Sequence, residues 1–284
     1  MGIRFVKMHG AGNDFVLIDD RDGAFPVDPR RIAAIGARGT GVGCEGIILV
    51  QRSSAADFRM RFFNPDGSEA ELCGNGARCV AAFAREIGAA KSDRMRFETL
   101  AGDVQAEILH PATSQPRNLA TSQLVKIAMP DPKDLREDFI NSGVPHRIVP
   151  VADIAAVNVG EEGRRIRNSD EFAPAGTNVD FVAFRPPHAL DIRTYERGVE
   201  AETGACGTGS VAAALVGVAQ HGLEFPVKVR TVRGFELVVD GAFDGAAFRS
   251  VTLTGPVARV FDGEIDLDSL DFPPECMHNT HNSI

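Results

Sequence analysis

Apolar and charged side chains alternate most plainly at "DFRMRFF", residues 57–63, where Phe58, Met60 and Phe62 are interleaved with Arg59 and Arg61. Successive side chains of a strand point to opposite faces, so this stretch predicts a strand with one face on a core. "NPDG" (64–67) then turns the chain. From Gly74 to about Gly88 the spacing becomes helical: Cys79, Val80, Phe83 and Ile87 share one stripe, and Gly88 is the stop signal. "MRFETLAGDVQAEIL" predicts a hairpin about Ala101-Gly102-Asp103. The same succession returns downstream. "ALDIRTYE" predicts a strand, a helix follows from about Gly207 to His221, and "VKVRTVRGFELVVD" predicts a hairpin turning at Arg233-Gly234. "GIILV" (46–50) and "VDFVAF" (179–184) are short apolar runs of strand type.

The recurrence has a register. A shift of 206 − 73 = 133 sets "CGNGARCVAA" over "CGTGSVAAAL". The same shift, with slips of one, sets Thr99 and Gly102 over Thr231 and Gly234, Asn64 over Glu196, Gly43 over Gly176 and Asn13 over His146. One register held over that length implies an internal duplication. The expected fold is therefore α+β, with two pseudo-symmetric homologous domains. Each would be a mixed or antiparallel sheet wrapped around a central helix. The expected halves are residues 1–120 and 121–262, with the tail 263–284 returning to the first. The stretch 110–123, rich in Pro, Ser, Thr and Asn, reads as the joint between them.

Composition narrows the function classes. The 284 residues are 44% apolar and 24% charged, as in an ordinary globular protein. A net charge of −9 argues against nucleic acid or an anionic membrane as the main partner. The longest apolar run, "VAAALVGVA", is half a membrane span at best, and "MGIRFVKMHGAGND" lacks a secretory apolar region. The expected location is cytoplasmic. Five cysteines make an odd set, which points away from a disulfide scaffold. The spacings of a zinc site and the Cys-x-x-Cys of a redox protein are both missing, so no metal is expected. Cys79 and Cys44 read as core, His9 as structural and Tyr195 as packing.

Cys73 and Cys206 differ from these because each precedes Gly-x-Gly at a predicted helix start. Such an end carries unpaired N–H groups and a positive partial charge, which suits a carboxylate and favours thiolate over thiol. One Cys-Gly-x-Gly alone reads best as a buried small side chain. Two of them, in halves that meet about a local two-fold, would set two thiols across one cleft. Opposed thiols suit inversion at a Cα, where one group removes the proton from one face and the other delivers a proton to the opposite face. Lowering a thiol pKa by two units takes about 2.7 kcal/mol, and a helix end gives about 0.3–1 kcal/mol. Other groups must contribute, and His146 and Glu196 stand where the repeat has Asn in the other half.

"KMHGAGNDFVLID", "FFNPDGSEAELCGNGARC", "GVPH", "YERG" and "ETGACGTGS" occur in this order, and over about residues 3–265 the chain resembles the diaminopimelate epimerase family. That family is similar in architecture to proline racemases and the phenazine-biosynthesis isomerases. The resemblance implies a cofactor-independent, homodimeric enzyme that interconverts LL- and meso-diaminopimelate on the route to lysine and peptidoglycan. It also implies Cys73 and Cys206 as the base and acid, with Glu196 and His146 assisting. Asn13, Asn64, Asn178 and Arg197 match substrate-binding positions. Gly74, Asn75, Gly207 and Thr208 match the helix ends that cradle the reacting carboxylate. Departures are Val144, where some members have Asn, Glu45-Gly46 in place of Asp-Gly or Asp-Gln, and one extra residue between Glu196 and Cys206. The final stretch, 268–284, extends past the usual end and reads as poorly ordered. The alternatives are a proline or hydroxyproline racemase, a thiol redox protein and a non-catalytic amino-acid-binding module.

Overall fold

The strand anticipated at 57–63 forms as β4 (Phe58–Phe63), with Phe58, Met60, Phe62 and Phe63 buried. It lies in a computed structural model that describes residues 2–110 and 122–270. The first half runs β1 (Gly2–Gly10), β2 (Asn13–Asp19), α1 (Pro29–Gly36), β3 (Ile47–Gln51), β4 and β5 (Glu69–Ala70). It continues through α2 (Gly74–Glu86), β6 (Arg94–Thr99), β7 (Gly102–Leu109) and β8 (Ser122–Ala128). After a short β9 (Lys133–Arg136), the second half opens with β10 (Phe139–Asn141), β11 (Pro145–Pro150), α3 (Val159–Arg167), β12 (Asn178–Arg185) and β13 (Ala189–Glu196). It ends with β14 (Ala201–Thr203), α4 (Gly207–Gln220), β15 (Val227–Arg230), β16 (Glu236–Phe243) and the long β17 (Phe248–Asp266).

The pairings repeat step for step. In the first half β1–β2 is antiparallel, β2–β3 parallel, β3–β4 and β4–β5 antiparallel, β4–β6 parallel, and β6–β7 and β7–β8 antiparallel. From β10 to β17 the same seven senses recur in the same order. Even the backbone at matched glycines agrees: Gly43 has φ 71 and Gly176 has φ 69, a left-handed conformation that side-chain-bearing residues rarely adopt. The duplication read from the sequence is a duplication of fold, with α2 and α4 as the two central helices.

Each half is covered on both sides of part of its sheet. The inner layer is one continuous apolar cluster shared by α2 and α4, including Val80, Phe83, Ile127, Val211, Leu215 and Leu253. On the outside, Ile32 and Ile35 of α1 pack with Val16, Ile18 and Leu49, while Val159 of α3 packs with Val179, Phe181 and Tyr195. Strands covered on both faces read as unbroken apolar runs, which is why "GIILV" and "VDFVAF" lack alternation. The outer helices escaped the sequence reading because they are short, and α3 carries few apolar residues. Their start signals are nonetheless present: Asp28 accepts from the Arg30 N–H with Pro29 next, and Asn158 accepts from the Glu161 N–H.

β17 was also not anticipated. Gly255-Pro256 interrupts its pattern, and Pro is ordinarily kept out of central strands. Here the Pro256 carbonyl accepts from the Ala11 N–H. β17 pairs successively with β16, β8 and β1, so it joins the two sheets into one strand network. Its end, Gly263–Asp266, faces Phe5–Gly2 of β1, and Leu267 joins the cluster under α1. The expected boundary at 120/121 and the tail from 271 onward, with Cys276, lie outside the described residues. No helix among the described residues is long and apolar enough to cross a membrane.

Candidate active site

The two central helices start against each other. A Cβ built on Gly207 would lie 3.7 Å from the Gly74 Cα, so only glycine backbone separates the first residues of α2 and α4. Cys73 and Cys206 are the N-cap residues, both extended, at φ −126 and −107. Two positive helix ends therefore converge where the two cysteines enter, and the open N–H groups there suit an anion. Gly74, Asn75, Gly207 and Thr208 all lie at this junction.

The two thiols do different work. Cys206 Sγ caps its own helix, accepting from the Gly209 N–H at 3.4 Å, and lies 3.4 Å from Thr208 Oγ1. Cys73 makes no capping bond and is the less buried of the two. Burial pushes both thiols up. For Cys73 the Glu196 charge adds to this, while the amides of Gly76 and Asn75 and the Arg78 charge oppose it. For Cys206 both Glu196 and Asp180 add, against the Thr208 hydroxyl and the Gly209 amide, and the thiol is raised well above its ordinary value. Both sulfurs are thus biased toward the thiol form.

His146, fully buried on β11, sits at the centre of a polar chain. Its Nδ1 is 2.7 Å from Asp180 Oδ2, and Asp180 Oδ1 accepts from the Thr194 hydroxyl at 2.6 Å. Its Nε2 is 3.0 Å from Thr208 Oγ1 and 3.4 Å from Asn178 Nδ2. An ionised carboxylate only accepts, so Asp180 fixes the tautomer with hydrogen on Nδ1. Nε2 then accepts from Thr208, leaving that hydroxyl oxygen free to accept from the Cys206 thiol. The sequence Cys206, Thr208, His146, Asp180 can pass a proton inward from sulfur to imidazole.

Glu196 ends β13 beside this chain. Burial pushes its carboxyl up, with Asp180 and Glu45 adding and the Thr203 hydroxyl and His146 opposing. The carboxyl is thus biased toward its neutral form. The parallel register of β11 and β12 sets His146 opposite Asn178, and Asn178 Oδ1 accepts the Arg197 N–H at 2.7 Å. Arg197 reaches the carbonyl of Ala175 at 3.2 Å, and among the described residues no carboxylate pairs with it. Asn13 Oδ1 is buried without a partner, as an acceptor kept for a ligand would be. The Asn75 side chain is already engaged. It donates to the Ala205 carbonyl at 3.0 Å and accepts from Arg78 at 2.7 Å, so only the Asn75 backbone remains for a ligand. Asn64 bonds to Ser68 within its own turn, at 3.1 Å.

Two residues at the site were missed from the sequence, Asp180 and Arg78. Each is a charged residue inside an apolar run, and that interruption was the available signal. Burial pushes Arg78 down to about 10, which leaves it protonated at neutral pH. His9 accepts from the Gly12 N–H at 3.3 Å and serves its turn. Among the described residues no cluster of three metal-ligating side chains occurs. A cavity of about 780 Å³ lined by Arg4, Asp19, Arg52, Glu86 and Arg259 contains neither N-cap cysteine.

The sequence matches the diaminopimelate epimerase family profile over residues 5–121 and 139–260. It is 42% identical to the diaminopimelate epimerase of Aquifex aeolicus, covering 95% of this chain and 100% of that one. It is 39% identical to the diaminopimelate epimerase of Archaeoglobus fulgidus, covering 96% and 99%. In shape it is similar to a phenazine biosynthesis protein of the PhzF family from Bacillus anthracis. The TM-score there is 0.69 at 17% identity, over 93% of this chain and 99% of that one, a likeness of fold. The chain belongs to the diaminopimelate epimerase family.

Proposed function

We propose that this protein interconverts LL- and meso-diaminopimelate without a cofactor, by moving protons between the substrate Cα and two cysteines. The observation that carries the reading is the pair of cysteine-capped helices whose first glycines touch. The substrate carboxylate binds the open N–H groups at that junction, with the Cα between the sulfurs. One sulfur, as thiolate, takes the Cα proton. The S–H bond forms, the C–H bond breaks, and the electron pair moves into the carboxylate, where the two helix ends stabilise it. The opposite thiol then gives its proton to the other face and becomes the thiolate. The reverse reaction exchanges the roles. His146 and Glu196 hold and return protons at the sulfurs, Asn178 positions His146 and the Arg197 backbone, and Asn13, Asn64 and Arg197 receive the distal amino-acid end. Two finer expectations accompany this reading, a homodimer and a cytoplasmic location.

The test is turnover of LL-diaminopimelate in heavy water under reducing conditions, with L-proline as the competing substrate. The expected result is meso product carrying deuterium at Cα and no conversion of proline. Product without solvent deuterium, or a preference for proline, would overturn the assignment.

A further inference from the structure

The turn between β1 and β2 leads into Asn13, and its backbone is strained. Ala11 has φ 52 and Gly12 has φ 85, and a residue with a side chain keeps the left-handed conformation of Ala11 only where its surroundings impose it. Three hydrogen bonds impose it here. The Ala11 N–H donates to the Pro256 carbonyl at 3.1 Å, the Gly12 N–H donates to His9 Nδ1 at 3.3 Å, and the Gly12 carbonyl accepts from Arg233 Nη1. Arg233 lies in the turn between β15 and β16, in the other half of the chain. From the same turn Phe235 sets its ring 5.6 Å from that of His9. A Cβ on Gly12 would lie 2.9 Å from both Arg233 Cδ and the Phe235 ring, and one on Gly204 would collide with Arg233 Nε. One side chain therefore rests on the backbone next to Asn13 and on the backbone two residues before Cys206.

The matched turns have no such strap. In the register of the repeat Ala101 stands for Arg233 (233 − 101 = 132) and Ser142 for His9 (142 − 9 = 133). Ala101 ends in a methyl group, Asp103 in the place of Phe235 is paired with Arg96, and Ser142 bonds to the Thr208 carbonyl of its own half. Among the described residues no hydrogen bond, ion pair or ring contact joins residues 100–103 to residues 142–145. The strapped flank is the one with Asn13, whose Oδ1 is buried and unpartnered. Resting on the two-thiol reading above, we propose that Arg233 is a positioning residue that fixes the spacing between Asn13 and the Cys206 end of the site, and so selects diamino-dicarboxylates of one length. Asn13 receives the distal head of the substrate while Cys206 works on the reacting Cα. A rigid link between their backbones makes the site a gauge, in which a shorter substrate reaches one end and misses the other.

The test compares the wild type with Arg233→Ala and Arg233→Lys. The Arg233 side chain is half exposed, so its removal opens no cavity. Amide hydrogen exchange over residues 8–15 is followed by mass spectrometry without substrate, and kcat and KM are measured for LL-diaminopimelate and for its homologue shorter by one methylene. In Arg233→Ala the exchange over 8–15 should quicken about tenfold, as the loss of one charged hydrogen bond allows. KM for diaminopimelate should rise about tenfold while kcat stays within about threefold. The wild-type preference for diaminopimelate over the shorter homologue, about 10–200-fold for one methylene, should shrink about tenfold. Arg233→Lys keeps a donor for the Gly12 carbonyl, so its exchange and KM should return to within about threefold of the wild type. Unchanged exchange in Arg233→Ala overturns the proposal. So does quicker exchange with KM and length preference unchanged, or a lysine variant that behaves as the alanine one does. Exchange in the expected order, beside a wild type that leaves diaminopimelate untouched, would overturn the two-thiol reading and not the strap.

Discussion

The ends of α2 and α4 share a backbone and differ in chemistry. At α4 the cysteine caps its helix and backs onto a hydroxyl, an imidazole and a carboxylate. At α2 the cysteine is uncapped and backed by an asparagine and a guanidinium. Duplication supplied two equal anion-binding ends, and the polar substitutions around them made one end proton-holding and the other cation-backed. The proposed two-sided reaction needs like positions with unlike proton affinities, and these unlike surroundings would supply them.

The largest expected effect removes either side altogether. Cys73→Ala and Cys206→Ala should each lower epimerisation by at least about 10³-fold, within the range of a lost acid or base, with circular dichroism unchanged. Near-normal turnover by one variant would mean the halves are not partners in the reaction. Next is the asymmetry at α4. Asp180→Asn leaves the shape but releases the tautomer of His146, so kcat should fall by about 10²-fold. Since the equilibrium constant is fixed, kcat/KM must fall equally in both directions. A near-normal kcat would separate His146 from Cys206.

A matched pair of glycines sharpens the contrast by stability. A Cβ on Gly209 would lie 2.5 Å from Asp180 Oδ1, whereas one on its counterpart Gly76 would meet only the mobile tip of Ile48 at 3.0 Å. Gly209→Ala should cost about 1–3 kcal/mol by chemical denaturation and lose activity as Asp180→Asn does. Gly76→Ala should cost visibly less. The smallest effect concerns Glu196. A carboxyl whose pKa is raised on folding stabilises the fold fully below its unfolded pKa, and this is lost as pH rises through the folded value. Glu196→Gln cannot ionise, so its Tm should exceed the wild-type value by a few degrees at about pH 8. The gap should close toward about pH 4, near the unfolded value.

The elements that were legible in the sequence are those whose pattern answers to one neighbour. β4 shows its buried face by alternation, α2 by its stripe, and the hairpins by Gly102 and Gly234. The register of the repeat singled out His146 and Glu196 because each stands opposite an Asn of the other half. Asp180 breaks the apolar run of a buried strand, but the partners of a buried carboxylate are set by residues distant along the chain, here His146 and Thr194. Asn75 was read by its place in the motif, yet its side chain is committed to Ala205 and Arg78, contacts made by residues distant in sequence. β17 was hidden because its partners β8 and β1 lie far away along the chain, and local pattern carries no trace of them.

That distance has a consequence for how the protein is made. Gly10 faces Val257 and Gly2 faces Asp266, so one flank of β1 waits for β17, which is made long after it. Until then an open row of amides and carbonyls is available to any passing strand. Chains ended early by a stop codon before Val257 should be found in inclusion bodies, however complete their thiol chemistry.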